Sequence, residues 1–279
     1  MALNAQLPPV TSRAISLRMD IATIAIVAAL ASALTLYSGF GLGTILLPAF
    51  ALFFPVPVAV AATGVVHLLN NVFKGALLWK RADWSTVLKF GIPAVPAAVL
   101  GAWLLAFLGD TPRLFEWSAW GHSFGPTGAG FTIGTLMILF AALELQRWFQ
   151  ELKAPPRLMP LGGLVTGFFG GLTGQQGAFR SIFLLRSGLT AERFIATGTM
   201  IAILVDLSRL TTYAASFTTA GLDPAGREGV LVLVGTFAAF AGAYVATRHL
   251  EKITIGAIRY GVAALMLAIG SALAVGILG

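Results

Sequence analysis

The sequence predicts an all-α polytopic membrane protein made of two homologous halves, and three observations lead there. Of its 279 residues, 57% are hydrophobic and only 10% are charged, against roughly 25% charged in a soluble domain. Several apolar runs reach the roughly 20 residues that a helix needs to cross a bilayer. Two apolar stretches, 20–54 and 158–186, are broken by glycines and stand at corresponding places in the chain.

The apolar segments fall at 20–54, 56–79, 86–108, 128–147, 158–186, 194–213, 230–248 and 254–277. Charged residues, prolines and glycines separate them, as in Lys80-Arg81-Ala82-Asp83, Gly109-Asp110-Thr111-Pro112 and Lys153-Ala154-Pro155-Pro156-Arg157. The expected division is a disordered leader over 1–18, a first transmembrane repeat over 19–148, a loop over 149–157 and a second repeat over 158–279. Ala31-Ser32-Ala33 after Arg13 and Arg18 looks like a signal-peptidase site, but the apolar run continues past it, so it reads as an uncleaved first membrane helix. The longest connection, 109–127, carries Trp117, Trp120 and Phe124, whose rings suit a membrane–water interface.

The formal net charge is +7. The cations sit singly in short loops instead of clustering along a surface that could track phosphates, so nucleic acid is not an expected partner. With no cysteine, the chain cannot make disulfides, iron–sulfur clusters or cysteine-ligated zinc. His67, His122 and His249 are far apart and show no metal-ligand spacing. No metal or cofactor is expected.

The run 20–54 is too long for one crossing and is interrupted by Gly39-Phe40-Gly41-Leu42-Gly43 and then Pro48. The run 158–186 holds glycines at 162, 163, 167, 170, 171, 174 and 177. Glycine is a poor helix former and proline breaks the hydrogen-bond ladder, so both runs are expected to be discontinuous. Unwound backbone at membrane depth survives only where it is buried in protein or lines a wet cavity, and paired broken helices point to a transporter's binding site.

At an offset of 134 residues, without a gap, Gly43 falls on Gly177, Ala62-Thr63-Gly64 on Ala196-Thr197-Gly198, and Trp79 on Tyr213. Each half then reads as a Gly-broken, re-entrant segment followed by three crossings. An odd number of crossings inverts the second half relative to the first. The loops at 80–89, 147–157, 186–193 and 248–252 would share one face and hold ten Lys/Arg, whereas those at 109–127 and 214–229 hold only Arg113 and Arg227, a positive-inside asymmetry. Arg13 and Arg18 fit this poorly, because the leader falls on the cation-poor side; a single broken crossing over 20–54 would place it on the other.

Thr63, His67, Asn70 and Lys74 are spaced four, three and four apart and line one helical face, with Asn71 beside them. An ionisable residue in a span costs about 2.5–3.5 kcal/mol on insertion scales and normally faces the bundle interior. One reading is a hydrophilic anion pathway. The other is interhelical hydrogen-bond glue, with Lys74 snorkelling from near a helix end. Asp206 and Arg209, three apart, can form an ion pair, either structural or part of a substrate or proton route. In Gly174-Gln175-Gln176-Gly177-Ala178-Phe179-Arg180, a half-helix starting near Gly177 would turn free N–H groups toward the break. Gln175 and Gln176 add amide donors, and Arg180 adds a planar fork suited to an oxyanion. Close helix packing through Gly163/Gly167 and Gly170/Gly174 accounts for the glycines but not for the glutamines or the arginine. Glu144 and Arg147, near a helix end, read as interfacial.

The candidate substrate-binding residues are thus Gly41, Gly43, Thr63, His67, Asn70, Asn71, Lys74, Gly174, Gln175, Gln176, Gly177, Arg180, Thr197 and Arg209, with His67 and Asp206 as proton-coupling candidates. No catalytic residue is expected, because the chain has no Gly-x-Ser-x-Gly, His-Glu-x-x-His or phosphate-loop pattern.

A glycine-rich break, a short apolar helix and an Ala-Thr-Gly opening the next helix, repeated over roughly 20–275, resemble the sulfite exporter TauE/SafE family. The first copy is Gly39-Phe40-Gly41-Leu42-Gly43 with Pro48; the second is Gly171-Leu172-Thr173-Gly174-Gln175-Gln176-Gly177 followed by Ala196-Thr197-Gly198-Thr199. Gln175 and Gln176 stand where the family usually has glycine, and Arg180 interrupts the apolar run. The resemblance implies a secondary transporter of sulfite, sulfonates or related sulfur oxyanions and organic acids, with proton-coupled export in a bacterial inner membrane as the expectation. An anion channel or uniporter driven by the membrane potential is the second reading; a membrane-embedded enzyme or a sensor stands behind both. The expected partners are a small anion and the lipid bilayer, with room for an oligomer.

Overall fold

The computed structural model describes residues 10–38, 42–217, 226–249 and 255–278. Among them the helices are α1 (Val10–Ser38), α2 (Leu42–Ala51), α3 (Val56–Leu78), α4 (Trp84–Gly109), α5 (Gly128–Leu145), α6 (Arg147–Gln150), α7 (Met159–Thr173), α8 (Gly177–Leu184), α9 (Ala191–Phe217), α10 (Arg227–His249) and α11 (Ile255–Ala274). Five of these, α3, α4, α5, α9 and α10, are long and apolar enough to cross a membrane. Large apolar side chains such as Leu77, Ile92, Trp103, Phe107 and Phe237 point outward, as lipid-facing surfaces require. The protein is an all-α polytopic membrane protein.

Local chemistry sets the helix boundaries. The Asp83 carboxylate accepts from the Thr86 N–H at 2.8 Å and opens α4, and the Thr127 hydroxyl accepts from Gly130 at 3.1 Å and opens α5, as N-caps do. Gly174 closes α7 at φ +77°, a left-handed cap that glycine adopts without strain. Two expectations need correction. Pro48 does not interrupt its segment: α2 runs through it from Leu42 to Ala51, and the expected interruption at Gly39–Gly41 lies outside the described residues. Pro93 and Pro96 are likewise accommodated inside α4, since packed neighbours and local adjustments tolerate proline in buried helices. The chain is also helical from Val10, so the leader reading does not hold for 10–18; residues 1–9 lie outside the described ones.

The packing partners are reciprocal. If α1–α5 correspond in order to α7–α11, the contact of α4 with α7 is matched by that of α10 with α1, and α4 on α9 by α10 on α3. The pairs α3 with α9 and α5 with α11 map onto themselves. The α4–α7 seam is glycine-lined: a Cβ on Gly163, Gly167 or Gly171 would collide with the backbone at Phe90, Ala94 or Ala98. This regular step makes the two helices parallel and brings their axes close.

Contacts at the helix ends sort the connections. At one end Arg193, near the start of α9, pairs with Asp83 before α4 at 2.7 Å, and the Ala154 N–H donates to Ile182 O in α8 at 2.9 Å. The Phe183 ring also lies against Gly162 near the start of α7. So α7 enters from this end and α8 returns to it. At the other end Arg227, opening α10, donates to Asp20 of α1 at 2.6 Å and sits 6.0 Å from the Phe54 ring just beyond α2. So α1 and α2 enter from, and return to, that second end. Pro57 of α3 lies beside Gly109 at the end of α4, and Trp117 Nε1 donates to Val275 O at 2.7 Å, both at the second end. The 109–127 connection contains an antiparallel pair, β1 (Trp117–Ala119) and β2 (His122–Phe124). Trp120 (φ +50°) and Gly121 (φ +76°) form its two-residue turn, whose mirror-image geometry matches strand twist.

Candidate functional site

The start of α2 meets the unwound segment of the second half inside the bundle. A Cβ on Gly43, at the start of α2, would stand 2.7 Å from the carbonyl oxygen of Gly174 in that segment. Gly41 lies outside the described residues. The run 158–186 is discontinuous as expected, with α8 starting at Gly177 where the sequence places a half-helix; α7 continues through the earlier glycines to Thr173, leaving Gly174, Gln175 and Gln176 unwound and buried.

Around this junction α3 and α9 supply the charges. The Asp206 carboxylate is fully buried and accepts from three elements. His67 Nδ1 lies 2.5 Å from its Oδ2, Gln176 Nε2 donates to Oδ1 at 3.1 Å, and Arg209 Nε donates to Oδ1 at 2.9 Å. The expected Asp206–Arg209 pair is therefore formed, with Nη2 also 2.8 Å from Oδ1. Arg209 Nη1 and Nη2 nevertheless lack an aligned hydrogen-bond partner. Arg180 Nη1 donates to Gln176 Oε1 at 3.3 Å, so one glutamine side chain links Arg180 to Asp206.

The polar stripe of α3 faces this centre. Thr63, His67, Asn70 and Asn71 are buried, Asn71 Nδ2 donates to His67 O at 2.9 Å, and Ser32 Oγ of α1 donates to Asn70 Oδ1 at 3.3 Å. Thr63 Oγ1 and Asn70 Nδ2 are buried without a partner among the described residues. Lys74 is half-buried and close enough to Arg180 for the two charges to repel. Thr197 stands apart: its hydroxyl accepts from the Asp83 N–H at 2.9 Å, about 13 Å along α9 from Asp206 at 1.5 Å per residue.

The glycines divide by face. Gly163, Gly167 and Gly171 serve the α4 seam, whereas Gly174 carries the Arg209 guanidinium, whose Nη1 would be 2.8 Å from a Cβ there. The glycines of the two Ala-Thr-Gly copies have matching surroundings. A Cβ on Gly64 would lie 3.2 Å from Arg209 Cζ, and one on Gly198 would lie 3.3 Å from Arg180 Nε. Each motif glycine thus makes room for one arginine. The His67–Asp206 contact and this seating were not visible in the linear pattern, since no short-range spacing links α3 to α9. Glu144, expected at an interface, is instead buried beside Gln175 in a small pocket.

An unwound, buried segment beside buried ionisable groups in a helical bundle is a usual mark of a transporter's binding site. The model of the family described as sulfite exporter TauE/SafE matches residues 24–273, and the chain belongs to that family of membrane transporters. No curated protein and no solved structure matches it.

Proposed function

We propose that this protein is a secondary transporter that moves a small anion, namely sulfite, a sulfonate or a related sulfur oxyanion or organic acid, out of the cell across a bacterial inner membrane. The observation that carries this reading is the charge balance of the centre. Arg180 and Arg209, with Lys74 nearby, face a single carboxylate, Asp206. Buried charge is tolerated when it is paired, and a bound anion would supply the missing negative charge. The unwound Gly174–Gln176 segment and the N-terminal end of α8 add donors suited to an oxyanion.

His67 and Asp206 are the proposed proton-coupling pair. Residues 19–148 and 158–279 act as two repeats joined by 149–157, and the opposite ends at which α1–α2 and α7–α8 return support an inverted relation between them. Inverted repeats suit alternating access around a fixed central site. Full burial of Asp206 and Arg209 favours a transporter that must rearrange over a continuously open pore. A membrane potential negative inside drives an anion outward by about 2.3 kcal/mol per charge per 100 mV, which favours export.

The test is sulfite flux in proteoliposomes for wild type, Arg180→Ala and Lys74→Ala, under an imposed potential and, separately, an imposed pH gradient. Flux in wild type that the variants lose supports the site, and flux that follows the pH gradient at fixed potential supports coupling. Flux under potential alone would favour a uniporter. Wild-type flux unchanged in both variants would sink the proposed site.

A further inference from the structure

Beyond the central cluster lies a second group of polar atoms with no protein partner among the described residues. Gln175 and Gln176 are neighbours in the break but point to different places. Gln176 reaches Asp206, whereas Gln175 lines a pocket with Thr44, Phe140, Glu144, Phe149 and Phe179. Glu144, in the last turn of α5, is 9% exposed and Gln175 5%. Glu144 Oε2 and both Oε1 and Nε2 of Gln175 are buried without a hydrogen bond. The walls are aromatic: Phe140 meets Phe179 at 5.2 Å and Phe149 meets Phe179 at 6.4 Å, both edge-to-face. The pocket therefore runs from the central break toward α6, at the end to which α8 returns.

We propose that Glu144 and Gln175 form a proton-dependent anion station, in which Glu144 takes up one proton for each anion that enters. This rests on the anion-transport reading above. Among the described residues no cation lines the pocket, so an ionised carboxylate would repel an oxyanion strongly in these low-dielectric surroundings. A protonated carboxyl instead donates its O–H. Together with Gln175 Nε2 it offers donors to one oxygen of an oxyanion that sits at the break and reaches into this water-sized pocket, satisfying atoms that are otherwise left bare. Charged and histidine side chains on the elements packed against α5 are Arg259 of α11, Arg147 of α6, His67 and Lys74 of α3, Lys89 of α4 and, through the Phe140–Phe179 contact, Arg180 of α8. Of these, the field of Arg259 reaches Glu144, and Arg259 is itself held by the Gln150 side chain, which also donates to Glu144 O at 2.8 Å. Proton and anion thus occupy the station together; as the central arginines receive the anion, Glu144 returns its proton to the side it came from, so the charge moved across the membrane is the anion's own.

The test uses the purified full chain and methanesulfonate, whose charge stays constant across the titration, so any pH slope belongs to the protein. Wild-type affinity should weaken toward about tenfold per pH unit as pH rises, the slope for one linked proton. Glu144→Gln, a near-isosteric mimic of the protonated side chain, should bind with the same affinity at every pH, because the His67–Asp206 pair exchanges its proton in the later transport step and not on binding. Its melting temperature, measured in parallel, checks that it folds. If the slope persists in Glu144→Gln, the station is wrong while anion binding stands, and the linked proton belongs elsewhere, with His67 the next candidate. A wild-type dependence on sodium at constant pH, with no pH slope, also overturns it. If wild type binds neither methanesulfonate nor sulfite at any pH, the station and the anion reading fall together.

Discussion

The His67 imidazole and the Asp206 carboxylate meet at 2.5 Å between α3 and α9, so the two halves are joined through ionisable groups at the centre of the bundle. Asp206 is also the acceptor for Gln176 and Arg209. One carboxylate therefore organises the break, the α3 stripe and the buried arginine together.

Asp206→Ala should accordingly be the most damaging substitution of the cluster. It strands Arg209 in the interior, and breaking a buried pair from one side costs about 3–5 kcal/mol. Thermal unfolding in detergent should show a large drop in melting temperature, with loss of sulfite flux. A variant that melts like wild type would mean that another acceptor holds Arg209.

Gly174→Ala and Gly188→Ala separate backbone strain from site disruption. Both glycines are left-handed, at φ +77° and +73°, a conformation that costs other residues roughly 1–3 kcal/mol. A methyl group on Gly188 would meet nothing within 4 Å, whereas one on Gly174 would stand 2.8 Å from Arg209 Nη1. Both variants should lose stability, but only Gly174→Ala should lose transport. Equal flux in the two would remove Gly174 from the site.

The motif glycines lead to a subtler expectation. Gly198→Ala brings a Cβ to 3.3 Å from Arg180 Nε, so Arg180 must shift by a few tenths of an ångström. Its effect should be a raised KM for sulfite, about tenfold for a loss near 1.4 kcal/mol, with melting nearly unchanged. Gly198→Leu should abolish flux. Unaltered kinetics in both would show that Arg180 does not need its seat.

Asp83 provides a pH-dependent contribution to stability outside the membrane-spanning helices. The Thr86 N–H, followed by the Arg193 and Lys89 charges, holds its carboxyl below the usual aspartate range. A carboxyl lowered on folding stabilises the protein above its unfolded-state value, and that stability is lost as pH falls through its folded value. Asp83→Ala should therefore melt below wild type at neutral pH, by the roughly 0.5–2 kcal/mol of a lost helix cap, and the gap should narrow in acid. A gap that stays constant with pH would show that the cap acts without its charge.

Much of this was legible in the chain. Span lengths, Gly-rich interruptions and the offset of 134 led to the helical bundle and to a half-helix starting near Gly177, where α8 begins. The family resemblance was carried by those same glycines. Pro48 misled because proline is a helix breaker in isolated segments, whereas a packed helix has neighbours that tolerate it. The Trp120–Gly121 turn was missed because tryptophan is rarely left-handed. Glu144 was misread because a residue's place near a helix end says nothing of the loops and helices folded over it.

The sequence by itself determined which segments are apolar enough to enter a membrane and where helix could not continue, because hydropathy and glycine or proline act within a few residues. Only the tertiary structure decided that His67 faces Asp206, that Gly64 and Gly198 each seat an arginine, and that Gln175 and Gln176 part company. Those relations depend on the depth and rotation at which one helix meets another. That geometry is set by packing between distant parts of the chain, which no local spacing encodes.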